Sequence, residues 1–202
     1  SDYSSQNFEV INNSGTRLFE IPLLGEYQLE NATSAIAVLD LIANEDNQIN
    51  YRNMYQGLKK TFWPARMEIL SKSPTIVIDG AHNPYSMKRM TEEVKNLFPY
   101  NDIILVYGCS SGHDVKEISK EILNLNPKII FIAYSRHPRS MNTYELAKMI
   151  PEELVRKRGS VIECLDNAKN TMEKDDIIIV TGSLFIAAEA REYFLGIEAE
   201  LY

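Results

Sequence analysis

An arginine and an aspartate bracket the segment of this chain that is best suited to chemistry. Arg66 lies thirteen residues before Asp79, which ends an apolar run and begins the sequence Asp-Gly-Ala-His-Asn-Pro. A guanidinium can hold a phosphate through its planar fork of donors, and a carboxylate can accept hydrogen bonds from a ribose or organise the waters of a metal ion. His82 adds another donor or acceptor. These residue types together favour chemistry on a nucleotide.

The same residues also fit a purely structural interpretation. An Asp before Gly is common in turns, and Asn83-Pro84 resembles the start of a helix with proline in its first turn. Spacing alone leaves both interpretations open.

The elements predicted after Arg66 place these residues at one edge of a sheet. Apolar runs alternate with helical patterns, which predicts an α/β fold with a mostly parallel, Rossmann-like sheet and helices on both faces. The predicted strands are Thr75–Asp79, Ile103–Tyr107, Ile129–Ala133, Val161–Glu163 and Ile177–Thr181, with Met67–Leu70 as an added edge strand. The predicted helices are Tyr85–Phe98, Val115–Leu123, Thr143–Met149, Asn167–Lys174 and Leu184–Phe194. Ligands of such sheets collect at the carboxyl ends of the strands.

The beginning of the chain has a different pattern. Two short alternating strands, Phe8–Ile11 and Arg17–Ile21, flank a hairpin turn at residues 12–15 and resemble the edge of another sheet. Two helices follow, at Leu29–Ala43 and Tyr51–Lys60, with a polar loop at residues 44–50 between them.

Composition excludes several classes of function. The chain has 202 residues and a net charge of −7, so general binding of nucleic acid is not expected. No apolar run approaches the roughly 20 residues of a membrane span, and no signal peptide is recognisable, so we predict a cytoplasmic protein. Cys109 and Cys164 lack metal-ligand spacing and are predicted to be buried free thiols.

Three further polar segments fall at or beyond predicted strand ends. Gly108 and Gly112 could let amides approach an anion, or they could form a turn with Asp114 as a helix cap. The basic cluster Arg136–Arg139 could meet phosphates or a polyanionic tail, or its arginines could pair with Glu145 or other surface acids. Ser183 could help bind a carboxylate at a helix start, or it could be an ordinary cap.

Three motifs in order resemble one family of enzymes. Trp63-Pro64-Ala65-Arg66, with the strand and Asp-Gly-Ala-His-Asn-Pro that follow, is similar to the carboxyl-terminal part of folylpolyglutamate synthases and dihydrofolate synthases, which are Mur-type ligases. The segment at residues 25–32 resembles the family's G-x-H-Q-x-x-N-A, and residues 181–185 resemble its T-G-S-L-[YF]. The chain departs from the family at Tyr27, at Ala65 and at Gly112-His113-Asp114, where relatives carry His, Gly and a D-K-D-like segment. The role of that family lysine is therefore in doubt here.

The resemblance implies an ATP-dependent ligase that joins L-glutamate to a folate or dihydropteroate carboxylate through an acyl phosphate. It implies that Gln28 and Asn31 lie near the adenine, that Arg66 orients the terminal phosphate and that Asp79 holds the nucleotide. It also implies that His82 and Ser183 favour the incoming glutamate, with Arg66 and His82 as the catalytic residues.

The resemblance also implies cofactors and a domain arrangement. ATP and Mg²⁺ are the expected cofactors, with the Mg²⁺ ligands mainly in an amino-terminal domain, because the sequence contains no G-x-x-x-x-G-K-[ST] loop. We therefore expect a carboxyl-terminal fragment that is inactive alone and whose partners are its substrates and that missing domain. The expected parts are residues 1–43 from a central ATPase domain, 44–66 as linker and helix, and 67–202 as the carboxyl-terminal domain.

Two other functions remain open at this point. The fold could serve a noncatalytic nucleotide-binding or docking module, since a fold alone does not determine function. A Mur ligase acting on a cell-wall precursor is the other alternative.

Overall fold

The computed structural model describes residues 5–12, 15–43 and 49–199. The chain divides into two compact units, Ser1–Pro64 and Ala65–Tyr202. Within the described ranges, no helix combines the length and apolar character needed to cross a membrane.

The first unit contains the predicted hairpin and two helices. Its elements are β1 (Gln6–Asn12), β2 (Gly15–Ile21), α1 (Glu26–Ile42) and α2 (Tyr51–Lys59). The two strands pair antiparallel, from Gln6 opposite Ile21 to Asn12 opposite Gly15, which confirms the hairpin. Phe19, Ile36 and Met54 form a small buried core. Asn13 and Ser14 of the predicted turn, and residues 44–48 of the predicted polar loop, lie outside the described residues.

The second unit is the predicted α/β domain. Its strands are β3 (Glu68–Lys72), β4 (Thr75–Ile78), β5 (Ile103–Tyr107), β6 (Ile129–Tyr134), β7 (Val155–Ser160) and β8 (Ile177–Thr181). Its helices are α3 (Pro84–Leu97), α4 (Val115–Leu123), α5 (Thr143–Ala147), α6 (Val161–Thr171) and α7 (Leu184–Leu195), with a 3₁₀ turn at Glu152–Leu154. The sheet order is β3-β4-β8-β5-β6-β7, and only β3 runs antiparallel to its neighbour.

The core explains why the central strands are apolar on both faces. Alternate residues of β4, β5, β6 and β8, such as Ile104 and Val180, pack with α6 and α7 in one buried cluster. The residues between them, such as Leu105 and Ile179, are equally buried. Successive side chains of a strand point to opposite faces, so both faces of the sheet are covered, as predicted.

One predicted strand was wrong. Residues Val161–Glu163 form the first turn of α6, and the strand is the preceding segment, β7. Ser160 and Glu163 form a capping box in which each side chain accepts a hydrogen bond from the other's backbone amide. The predicted helix Asn167–Lys174 is the second half of α6, which ends at Thr171. β7 is an edge strand whose Arg-Lys-Arg segment is exposed, so the apolar pattern used for the other strands did not reveal it.

The other boundaries differ only slightly from prediction. α5 ends at Ala147, two residues before the predicted Met149, and α1 begins at Glu26, three residues before the predicted Leu29. The predicted edge strand after Arg66 is confirmed as β3.

Candidate functional site

Four loops meet at the carboxyl edge of the sheet, because β4, β8, β5 and β6 are consecutive neighbours. The loops hold His82 after β4, Ser183 after β8, Ser110 and His113 after β5, and the basic cluster after β6. Hydrogen bonds join the last two loops: Ser111 N donates to Arg139 O at 2.8 Å, and Met141 N donates to Cys109 O at 2.8 Å. We refer to these four loops as the carboxyl rim.

Arg66 is held in a tight turn beside the end of β4. Its neighbours Ala65 and Met67 have φ values of 54° and 46°, which are unfavourable for residues with a Cβ. Two hydrogen bonds from β4's end hold this turn: Gly80 N donates to Ala65 O at 2.8 Å, and Met67 N donates to Asp79 Oδ2 at 2.8 Å. Non-glycine residues in such conformations cluster at functional sites.

Asp79 is buried, and both carboxylate oxygens accept backbone hydrogen bonds. Asp79 is only 3% exposed to solvent. Its Oδ2 accepts a hydrogen bond from Met67 N and its Oδ1 accepts one from Ala81 N, each at 2.8 Å. Burial raises the pKa of this carboxyl, while the two amides and the positive charge of Arg66 oppose that rise. In this geometry Asp79 holds the Arg66 turn and the loop after β4; its predicted contact with a nucleotide remains a prediction.

The Arg66 guanidinium is not paired with a carboxylate elsewhere in the described part of the chain. Among the described residues it makes no salt bridge, and its charge acts electrostatically on Asp79. Sequence reasoning therefore brought together two residues that do lie close in the fold, although they interact differently from the expectation.

His82 is fixed in one orientation by the loop that carries it. Its Nδ1 lies 2.8 Å from Gly80 O, and a carbonyl oxygen only accepts, so Nδ1 is the donor and, in the tautomer with one ring proton, Nε2 is the acceptor. The following Asn83 caps α3 through a capping box with Ser86, and Pro84 occupies the first turn, as the structural interpretation predicted. The ring of His113 lies 5.3 Å from that of His82.

Ser183 caps α7, and its hydroxyl also bonds to the neighbouring loop. Its Oγ accepts from Phe185 N at 3.3 Å and lies 2.9 Å from Ser110 Oγ. Both serines are buried. The predicted cap is confirmed, and the predicted contact with glutamate remains a prediction.

The glycine loop after β5 behaves as a turn. Gly112 has a φ of 90°, and Asp114 caps α4 by accepting from Glu117 N. The simpler of the two interpretations of this loop is therefore confirmed.

One arginine of the basic cluster pairs with acids of α7. Arg136 forms ion pairs with Glu189 and Glu192, and its backbone amide donates to Glu189 Oε1 at 2.6 Å. The expected partner Glu145 instead pairs with Lys148. Burial raises the pKa of Glu189, and the Arg136 amide and charge oppose that rise.

Phe185, in the first turn of α7, contacts the carboxyl rim, and sequence reasoning did not select it as a site residue. The His137 ring stacks on it, with 3.7 Å between centroids and 10° between planes, and the Arg139 guanidinium lies 5.7 Å from its centroid. Its place as the last residue of the motif at residues 181–185 was the available signal. Ser110 and His113 were likewise missed as candidates, although they lie in a loop that had been identified.

Gln28 and Asn31 lie in the first turns of α1, in the first unit. Asn31 Nδ2 donates to Gln28 Oε1 at 3.2 Å, and Gln28 is buried. The two carboxamides thus form one hydrogen-bonded pair on the helix.

The cysteines are free and buried, as predicted. Burial raises the pKa of each thiol to about 12, so both are protonated at neutral pH. In the part of the chain that the structure describes, no group of three or more His, Cys, Asp or Glu side chains could hold a metal ion.

A family comparison covers the unit that contains the carboxyl rim. The model of the family described as "Mur ligase, glutamate ligase domain" matches residues 65–184. The chain belongs to this Mur ligase family. The Mur ligase domain so defined contains Arg66, Asp79, His82 and Ser183.

Curated relatives of this Mur ligase chain carry folate-related names. It is 32% identical over 176 residues to a probable bifunctional folylpolyglutamate synthase/dihydropteroate synthase of Haloferax volcanii, a match that covers 85% of this chain and 20% of the relative. It is 30% identical over 178 residues to folylpolyglutamate synthase of Lacticaseibacillus casei, covering 88% of this chain and 40% of the relative. The Mur ligase chain thus spans less than half of the relatives that it matches.

Solved structures share the fold. Mycobacterium tuberculosis folylpolyglutamate synthase complexed with ADP superposes with a TM-score of 0.79 at 22% identity, covering 93% of this Mur ligase chain and 46% of that chain. Folylpolyglutamate synthetase from Lactobacillus casei gives a TM-score of 0.72 at 27% identity, covering 96% and 44%.

Proposed function

We propose that this chain supplies the glutamate-binding part of an ATP-dependent ligase. The ligase adds L-glutamate to the carboxylate of a folate or dihydropteroate through an acyl phosphate, in the cytoplasm. The observation that carries the proposal is the hydrogen bond from His82 Nδ1 to Gly80 O, because it leaves Nε2 available to an incoming amine at the carboxyl rim.

The ligation needs its amine neutral and in place. The amine nitrogen attacks the carbonyl carbon of the acyl phosphate, the carbon–oxygen bond to phosphate breaks, and phosphate leaves with the bonding electrons. The nitrogen loses a proton as the amide forms. His82 Nε2 can orient the amine by accepting a hydrogen bond from one of its N–H groups and can then receive the proton that the nitrogen loses.

Arg66 is proposed to contact the terminal phosphate of ATP. Phosphoryl transfer depends mainly on positioning and charge neutralisation. The hydrogen-bonded turn between Ala65 and Met67 fixes the backbone position from which the Arg66 side chain extends. Asp79 contributes through this turn, in addition to the ribose contact that the resemblance implies. Gln28 and Asn31 are proposed to contact the adenine, for which carboxamides offer both a donor and an acceptor.

Ser183 and the start of α7 are proposed to hold a carboxylate of glutamate. The first amides of a helix lack partners within the helix and favour an anion there. The relatives bound to ADP, and a homologous structure described with Mn, AMPPNP and L-glutamate, support ATP, a divalent ion and glutamate as ligands. Mg²⁺ would neutralise phosphate charge, and no step here is assigned through it.

The test is ligation by the complete protein. We expect a product from ATP, L-glutamate and either dihydropteroate or a folate, and the two acceptors separate dihydrofolate synthase from polyglutamylation. His82→Asn should raise the KM for glutamate, whereas Arg66→Ala should lower kcat by 100-fold or more, in line with the loss of one charge-stabilising group, about 3 kcal/mol. Tyr85→Phe, at an exposed position near His82, is the matched control and should change neither.

Three results would contradict the proposal. Binding of ADP without turnover on any acceptor would favour a nucleotide-binding module. Turnover only with a cell-wall precursor would show that the protein is a cell-wall Mur ligase and does not act on folates. Unchanged kinetics in both the His82 and Arg66 variants would remove the site assignment.

A further inference from the structure

A large basic cleft lies beside β7, away from the residues already assigned. It has a volume of about 1020 Å³ and lies between the β6–β7 edge of the sheet and α5. Three consecutive cationic residues of β7 line it: Arg156, Lys157 and Arg158. The protein has a net charge of −7, so such a concentration of positive charge is a local feature.

An irregularity in β7 explains how three neighbours reach one cleft. Side chains of a regular strand alternate between faces, yet the pairing of β6 with β7 shifts in register between Ile130 and Phe131, and Arg156 is the unpaired extra residue. A bulge of this kind redirects side chains and is common next to binding sites.

These charges are exposed and are not neutralised by nearby acids. Within residues 49–199, no carboxylate lies within salt-bridge distance of Arg156, Lys157 or Arg158. Glu152 also lines the cleft, and Glu163 interacts electrostatically with Lys157. Lys148 of α5 lines the cleft too and is paired with Glu145.

Two aromatic residues, Tyr134 and Tyr144, also line the cleft. The Arg158 guanidinium lies 4.1 Å from the centroid of the Tyr144 ring, so it is held in place by a cation–π contact. Tyr134 lines the cleft and is the last residue of β6. The next two residues, Ser135 and Arg136, belong to the loop after β6, so the cleft adjoins the β6 side of the carboxyl rim.

We propose that this cleft binds a chain of carboxylates, namely the oligo-γ-glutamyl chain that the proposed ligation lengthens. The inference rests on the proposed function for the source of the chain, while the charge and shape of the cleft are independent of it. A single amino acid would fill a small part of the volume, whereas successive carboxylates of an extended chain can meet successive cations.

The test measures binding of γ-linked glutamate oligomers to the complete protein by calorimetry at low ionic strength. Affinity should rise from the dimer to the pentamer and should fall with added salt. Arg156→Ala and Arg158→Ala should each weaken pentamer binding roughly tenfold. Arg158→Lys keeps the charge and loses the planar stacking, so its affinity should lie between those of the native protein and Arg158→Ala.

Controls and contrary outcomes are available in the same experiment. Lys116→Ala removes an exposed cation of α4 outside the cleft and should leave binding unchanged. Equal affinity of the native and Arg156→Ala/Arg158→Ala proteins, or no saturable binding, would overturn the proposal and leave the charges as protection of a free sheet edge. Tighter binding of an α-linked pentamer would also overturn it, in favour of an acidic peptide.

Failure of the proposed ligase function would give a different result from failure of the cleft proposal. In the Arg156→Ala/Arg158→Ala protein, addition of the first glutamate should keep its kinetics, and only the KM for long-chain acceptors should rise. A native protein that binds the γ-linked pentamer through Arg156 and Arg158 but ligates nothing would contradict the enzyme assignment and retain the cleft.

Discussion

The carboxylate of Asp79 binds the backbone amide of Met67 at 2.8 Å, and this bond fixes the turn that presents Arg66. A second bond, from Gly80 N to Ala65 O, closes the other side of the turn. The candidate phosphate-binding residue is therefore positioned by the same strand end that carries His82. We therefore expect a substitution at Asp79 to affect both stability and the proposed ligation.

Asp79→Asn should reduce both stability and ligation. The amide NH₂ would face one of two buried backbone donors, which costs about 2 to 4 kcal/mol in the free energy of unfolding. Arg66→Ala should cost under about 1 kcal/mol and still remove most turnover. Denaturant unfolding and initial rates separate the two effects, with Asp102→Asn, at a half-exposed ion pair, as the control. A stable Asp79→Asn protein would contradict the role given to its two hydrogen bonds.

Gly182→Ala should be much more disruptive than Gly196→Ala. Both glycines have positive φ, of 101° and 63°, but a Cβ at Gly182 would lie 2.5 Å from Gly108 O, whereas Gly196 has open space around it. We expect a loss of about 3 kcal/mol or more at Gly182 and about 1 kcal/mol at Gly196. Thermal unfolding of the two variants is the measurement, and similar losses would mean that the crowding at the end of β8 relaxes easily.

Ser110 and Ser183 should be energetically coupled. Their hydroxyl oxygens are 2.9 Å apart and buried, so either single alanine variant leaves a hydroxyl without this partner. A double-mutant cycle should give a coupling free energy of about 1 kcal/mol. Additive single effects would show that the bond joining the two loops is not significant for stability.

Glu189→Gln should change how stability depends on pH. Burial raises the pKa of Glu189 above its ordinary value of 4.5, so the folded state binds the proton more tightly than the unfolded state does. This carboxyl therefore contributes to a fall in stability as pH rises from its ordinary pKa through its raised pKa. Glutamine keeps an acceptor for the Arg136 amide and does not titrate.

The free energy of unfolding of Glu189→Gln, relative to the native protein, should thus increase from acid to neutral pH. Parallel pH profiles would contradict the raised pKa. Glu145→Gln provides the control, since its ion pair with Lys148 is exposed.

Much of the scaffold followed from local sequence patterns. The β-branched runs of β4, β5, β6 and β8 and the caps at Asn83, Asp114 and Ser183 depend on neighbours in the chain, so their positions were predictable. The edge strand β7 was not found, because an exposed strand lacks an apolar run, and the Ser-x-x-Glu capping signal after it was overlooked.

The sequence by itself determined which residue types are suited to chemistry and that Asp79 and His82 follow one buried strand. That Arg66 lies in a turn beside the end of that strand was decided by the tertiary structure. Only the tertiary structure decided their partners: Asp79 binds backbone amides, Arg136 pairs with α7, and His113 faces His82. The physical reason is that hydrogen bonds and ring contacts between distant segments depend on strand order and register. Those quantities are set by the packing of the whole sheet, and no short stretch of sequence encodes them.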